Sequence, residues 1–152
     1  MRTERGFSLL ELLIVVAIIL IIATIAIPSL LRSRQAAQES SAVAQLRTIN
    51  TAEVTYLSSN QGNYGDIISL VSQGLLDTRF GGTAVVSGYQ FTISASGSNY
   101  TSNANPVSAN AGRFGYFSLP DAVIRYSTAT SGCGGPGGNC FPPNLSGAPV
   151  SG

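Results

Sequence analysis

The chain has 152 residues, enough for one ordinary domain, and carries eight Arg against seven acids, for a net charge of +1 with no block of like charge. It contains no His, no Lys and no Trp, so the commonest general base and metal ligand is missing, and neither an enzyme nor a catalytic or structural metal site is expected. The apolar residues are unevenly placed: most of the Leu and Ile precede residue 58, while Gly, Ser, Asn, Thr and Ala dominate the rest, which implies two different solvents along one chain.

Phe7 to Ile27 is a run of 21 residues in which only Ser8, Glu11 and Thr24 are polar, close to the ~20 residues a helix needs to cross a bilayer. Arg2 and Arg5 precede it and Arg32 and Arg34 follow it, so the balance of flanking cations does not set an orientation. The run is longer than the core of a secretory signal, and Ala23-Thr24-Ile25-Ala26 offers a poor cleavage site after it. Pro28 removes one backbone donor and predicts a kink within a continuing helix, because Leu30 onward is rich in good helix formers.

From Ser40 to Ser59 a period of 3.6 places Ala42, Val43, Leu46, Ile49, Tyr56 and Leu57 on one face, interrupted by Glu53, and Ser41, Ala44, Arg47, Thr48, Thr51 and Thr55 on the other. A helix from Ser8 to Ser59 would be roughly 75–80 Å long, more than a membrane needs, so its second half is expected to pack on protein. Asn60 to Gly65 reads as a loop, and Asp66 as the cap of a short helix ending at Gly74.

Strand signals follow. Tyr89, Phe91, Ile93 and Ala95 alternate with Gln90, Thr92 and Ser94, and Tyr100 to Asn103 can pair back across Ser96-Gly97-Ser98-Asn99. Further strands are expected at Arg113–Leu119 and Ala122–Ser127, about a turn at Pro120-Asp121, giving a meander of about four strands with its aromatics in the core. After Ser127 the composition predicts loop. Cys133 and Cys140 flank Gly-Gly-Pro-Gly-Gly-Asn, a segment that can turn back on itself; a disulfide in an oxidising compartment is the favoured reading, two free thiols the alternative.

Glu11 is the residue that needs an explanation. An ionised carboxylate in hydrocarbon costs a few kcal/mol on insertion scales, so such a group has either a cationic partner or a route to the interface. Arg5 is the nearest cation, and a cut after Gly6 would create another, the α-amino group of Phe7. Spacing alone leaves pairing and snorkelling open.

The run Arg5-Gly6-Phe7-Ser8-Leu9-Leu10-Glu11-Leu12-Leu13-Ile14-Val15-Val16-Ala17-Ile18, with Ile25-Ala26-Ile27-Pro28 after it, resembles the processing and methylation segment of type IV pilins and pseudopilins. The likeness is strong over residues 1 to 35, looser to Leu57, and limited in the remainder to the order of helix, then meander. It implies an α+β fold, a long N-terminal helix packed on a roughly four-stranded antiparallel sheet, divided into a leader (1–6), a transmembrane and filament-core half-helix (7–31), an amphipathic half-helix (32–59) and a head with a C-terminal disulfide loop (60–152).

The same resemblance implies that a prepilin peptidase removes the leader after Gly6 and that Phe7 becomes an N-methylated N-terminus. Glu11 would then pair with the Phe7 amino group of a neighbouring subunit, Pro28 would mark a bend, and Cys133 and Cys140 would bound the C-terminal region. The implied partners are the membrane, an inner-membrane assembly platform and further copies of the chain in a helical filament at the cell surface, without cofactor or nucleic acid. The rivals are a minor pseudopilin of a type II secretion system, a DNA-uptake pilin and a plain single-pass anchor that never polymerises. Major pseudopilins commonly carry a C-terminal calcium site, for which no acid remains after Asp121, and three scattered Arg in the head are a weak phosphate-binding surface.

Overall fold

The computed structural model describes residues 7–81, 85–128 and 148–150. The chain divides into two compact units, residues 1–34 and 35–152. Helix α1, Leu9–Ser59, contributes to both and contains Pro28.

In the first unit the helix has no buried residue. Leu12, Leu13, Ile14, Val15 and Val16 are all about half exposed or more, and consecutive positions lie about 100° apart around the axis, so no apolar stripe is distinguished from a polar one. Proline at 28 cannot donate to the carbonyl of Thr24, which leaves that turn one hydrogen bond short.

In the second unit α1 is amphipathic. Ala42, Leu46, Ile49 and Ala52 are buried together with Glu39, Asn50 and Glu53. On the outer side Thr48, Thr51 and Thr55 turn their hydroxyls back onto the carbonyls of Ala44, Arg47 and Thr51, which satisfies them without a tertiary partner. Ser41, expected on this outer face, is half-buried and donates to Ser87 Oγ at 3.1 Å.

A loop leads to helix α2, Ile67–Ser72, whose N-cap Asp66 accepts from the Ser69 N–H at 2.9 Å. Gly74 follows with φ +70, a left-handed C-terminal stop of the kind glycine tolerates best. A 3₁₀ turn at Thr78–Phe80, capped by Asp77, delivers Phe80 to the core, where its ring meets Phe91 edge-on at 5.4 Å.

Among the described residues the sheet has six strands in sequential antiparallel order: β1 Val85–Val86, β2 Tyr89–Ser96, β3 Asn99–Pro106, β4 Phe114–Ser118, β5 Ile124–Thr128 and β6 Ala148–Pro149. The four longer strands fall where alternation and turn residues predict them. The count is nevertheless six, and β6 lies in a stretch expected to be loop throughout. These added edges are two residues each, too short to show a period, and Pro149 is tolerable there because an edge strand leaves one side unpaired.

The register sorts the faces. Tyr89↔Pro106, Phe91↔Ala104 and Ile93↔Ser102 continue through Ala104↔Tyr116 and Ser118↔Ile124, and this face joins Ala42, Leu46, Ile49 and Ala52 of α1 in one core. Phe117 pairs with Asn103 and Arg125 on the opposite face. It is fully buried there.

Candidate processing and assembly segment

The segment begins at Phe7, which is 76% exposed. The carbonyl of Ser8 accepts from the N–H groups of Glu11 and Leu12 at 3.1 and 3.2 Å, which fixes the first helical turn immediately after Phe7. Glu11 is thereby held in that turn, where the positive end of the helix dipole favours an acid. It is exposed, as are the apolar side chains around it.

Shallow grooves between Leu9, Leu12, Leu13, Val16, Ala17 and Leu20 are lined almost wholly by carbon. By length and composition α1 is able to cross a membrane. A helix apolar on every side has two favourable surroundings, lipid and a bundle of similar helices, and exchanging one for the other alters little apolar exposure.

Of the residues singled out from sequence, Phe7, Glu11 and Pro28 lie on this stretch. Gly6, Cys133 and Cys140 lie outside the described residues. The segment places a hydrophobic residue and a single acid at the same helical end, and the grooves along it among the described residues are open.

A clamp that sequence reasoning missed ties α1 to the loop before β4. Glu39 is buried, and its Oε1 accepts from the backbone N–H of Arg113 at 2.8 Å and from Nε at 3.2 Å, while Oε2 meets Nη2 at 3.1 Å. The carboxylate raises the Arg113 guanidinium above its ordinary pKa, first through these hydrogen bonds and then through its charge. Gln35 Nε2 donates to the Ala109 carbonyl at 2.9 Å in the same loop. The only advance signal was an acid in a helix and a lone Arg after a glycine, 74 positions apart.

A family model described as "Prokaryotic N-terminal methylation motif" matches residues 1–27, the stretch that contains Gly6, Phe7 and Glu11. Over 131 residues, 86% of this chain and 92% of the relative, the sequence is 32% identical to "Type IV wide pilus major component PilA4" of Thermus thermophilus. It is also 42% identical over 63 residues to "Type IV major pilin protein PilA" of Myxococcus xanthus, a match to 41% of this chain and 28% of that relative. The chain belongs to the type IV pilin family.

Proposed function

We infer that this chain is the structural subunit of a type IV pilus-like filament. The observation that carries the inference is the helix from Leu9 to Leu31, exposed and apolar on all sides, with Glu11 its one charged residue, four positions beyond Phe7. The family motif over residues 1–27 and the two pilin relatives support it.

In this reading residues 1–6 are a leader and 7–31 a membrane anchor that later becomes the filament core. Residues 32–59 form the half-helix that carries the head of residues 60–152. A prepilin peptidase cuts between Gly6 and Phe7, the Phe7 amino group is methylated, and an inner-membrane platform draws mature subunits into a homo-oligomeric helical filament at the surface. Transfer is feasible because hydrocarbon and helix bundle are similar solvents for this surface. Non-closing contacts between identical copies then propagate as a helix rather than a ring. Cys133 and Cys140 are bonded after export.

The test is to shear cells and determine the N-terminal sequence and mass of this chain in the released filaments. A chain beginning at methylated Phe7, lighter by residues 1–6 and by two cysteine hydrogens, is the expected product. A full-length chain found only in membranes would refute the reading.

A further inference from the structure

Glu53 is, with Glu39, one of two acids buried on the inward face of α1, and neither processing nor assembly uses it. It is fully buried. Its Oε2 accepts from the Gly65 N–H at 3.1 Å, while Oε1 is buried and has no hydrogen-bond partner among the described residues.

The groups facing it offer no compensation for a negative charge. From α2's N-cap comes Asp66, another acid. From β3 comes Tyr100, whose hydroxyl donates at 3.0 Å to Asn50 Oδ1 and so is already engaged; Asn50 in turn donates to Ser118 Oγ at 2.8 Å. Neither ion pair found among the described residues includes Glu53. An ionised carboxylate placed here would keep one oxygen dehydrated and unpaired, whereas the neutral acid needs far less solvation.

What Glu53 holds is a corner of the head. Gly65 ends the loop between α1 and α2, and it packs so closely on Tyr56 that an added Cβ would lie 3.0 Å from the ring. The preceding residue, Tyr64, donates its N–H to the Gly97 carbonyl at 2.9 Å, and its ring lies 4.6 Å from that of Tyr100. The loop, the β2–β3 hairpin and the end of α1 therefore meet around one carboxyl group.

We propose that Glu53 is a proton-loaded latch: as the neutral acid it holds the loop of residues 60–65 closed against the β2–β3 hairpin, and loss of the proton loosens that corner of the head. Burial pushes the Glu53 carboxyl up to about 7; the Gly65 hydrogen bond opposes the rise and Asp66 adds to it. A group whose folded value lies above its ordinary 4.5 gives stability that is fully present below the ordinary carboxylate range and is lost as pH rises through about 7. From 4.5 to about 7 the corresponding change in the folding constant is about 300-fold at its limit.

The experiment is denaturant unfolding of the full chain in detergent micelles, followed by the near-ultraviolet dichroism of its tyrosines, between about pH 4 and pH 9. The parent is expected to lose stability progressively from about pH 4.5 to about pH 7 and to level off above that, approaching the 300-fold limit, and Glu53→Gln, which keeps the shape and an acceptor for Gly65, to lack the decline. A parent curve that is level across this window, or an equal decline in Glu53→Gln, overturns the latch. Should the variant not fold, the Gly65 amide resonance of the isotope-labelled parent decides alone: a shift centred near pH 7 supports the proposal, and one confined to below about pH 5, or none, ends it.

Discussion

Gly112 is buried against the hydroxyl of Tyr89, and a Cβ built on it would overlap that oxygen. Tyr89 cannot easily retreat, since it is fully buried and donates to the Phe114 carbonyl at 2.9 Å. Burial, with smaller contributions from Tyr116 and Glu39, raises its pKa above the ordinary tyrosine value, so the ring stays a neutral donor. Gly112→Ala is therefore expected to destabilise the head by about 1–3 kcal/mol through overpacking, and by about 1 kcal/mol more if the Tyr89 bond breaks. Denaturant titration of the full chain would show it as a lower midpoint, partly restored in a Tyr89→Phe background. The adjacent clamp is asymmetric: Glu39 is buried and accepts from the Arg113 main chain, whereas the Arg113 side chain is largely exposed. Glu39→Ala should thus lower the melting temperature more than Arg113→Ala, because it leaves a main-chain donor without an acceptor at a cost of about 1–3 kcal/mol. Equal losses would show that the exposed ion pair carries the clamp.

The β2–β3 hairpin turns on Gly97 and Ser98, with Ser96 paired to Asn99 and Gly97 at φ +58. A two-residue loop with its first residue in the left-handed region matches the right-handed twist of the strands it joins. Gly97→Val should destabilise the hairpin by about 1–2 kcal/mol, whereas Ser98→Val, with no such backbone demand, should be nearly silent in the same melting experiment. This hairpin was legible in advance because alternation over Tyr89–Ala95 and the turn residues after it reinforce each other, although the return strand, expected from Tyr100 to Asn103, runs on to Pro106. The capped α2 and the inward face of α1 were legible for the same reason. Where a feature depends on a distant partner, the signal fades. The two-residue edge strands have no period, and Phe117 looks like its neighbours until the register places it on the other face. Of the candidate site, Phe7, Glu11 and Pro28 stand out in one continuous segment, while the Glu39–Arg113 clamp joins residues that only the fold brings together. Glu53 was visible as an interruption of an apolar face, but its contact with Gly65 depended on how the loop closes.

At the scale of the whole molecule, the decisive asymmetry is between a half-helix with no buried residue and a head with a hydrophobic core of its own among the described residues. Glu11 belongs to the former, so its removal should leave the head's folding untouched. Insertion should also survive, because Glu11→Ala makes the span more apolar, and the Gly6–Phe7 bond lies before the helical turn that contains residue 11. Assembly is the step at risk. In the proposed filament the mature Phe7 amino group is carried into a bundle of apolar helices, where an uncompensated charge costs about 3–5 kcal/mol. Each added subunit would meet that penalty without the carboxylate of its neighbour, and elongation compounds it. Cells making Glu11→Ala are expected to hold processed chain in the membrane and to release few filaments on shearing, whereas the parent releases many. Glu11→Asp should recover only part of the filament yield, since a shorter side chain reaches the amino group less well. Abundant filaments built solely from the alanine variant would place Glu11 at the interface with water, outside the assembly contact.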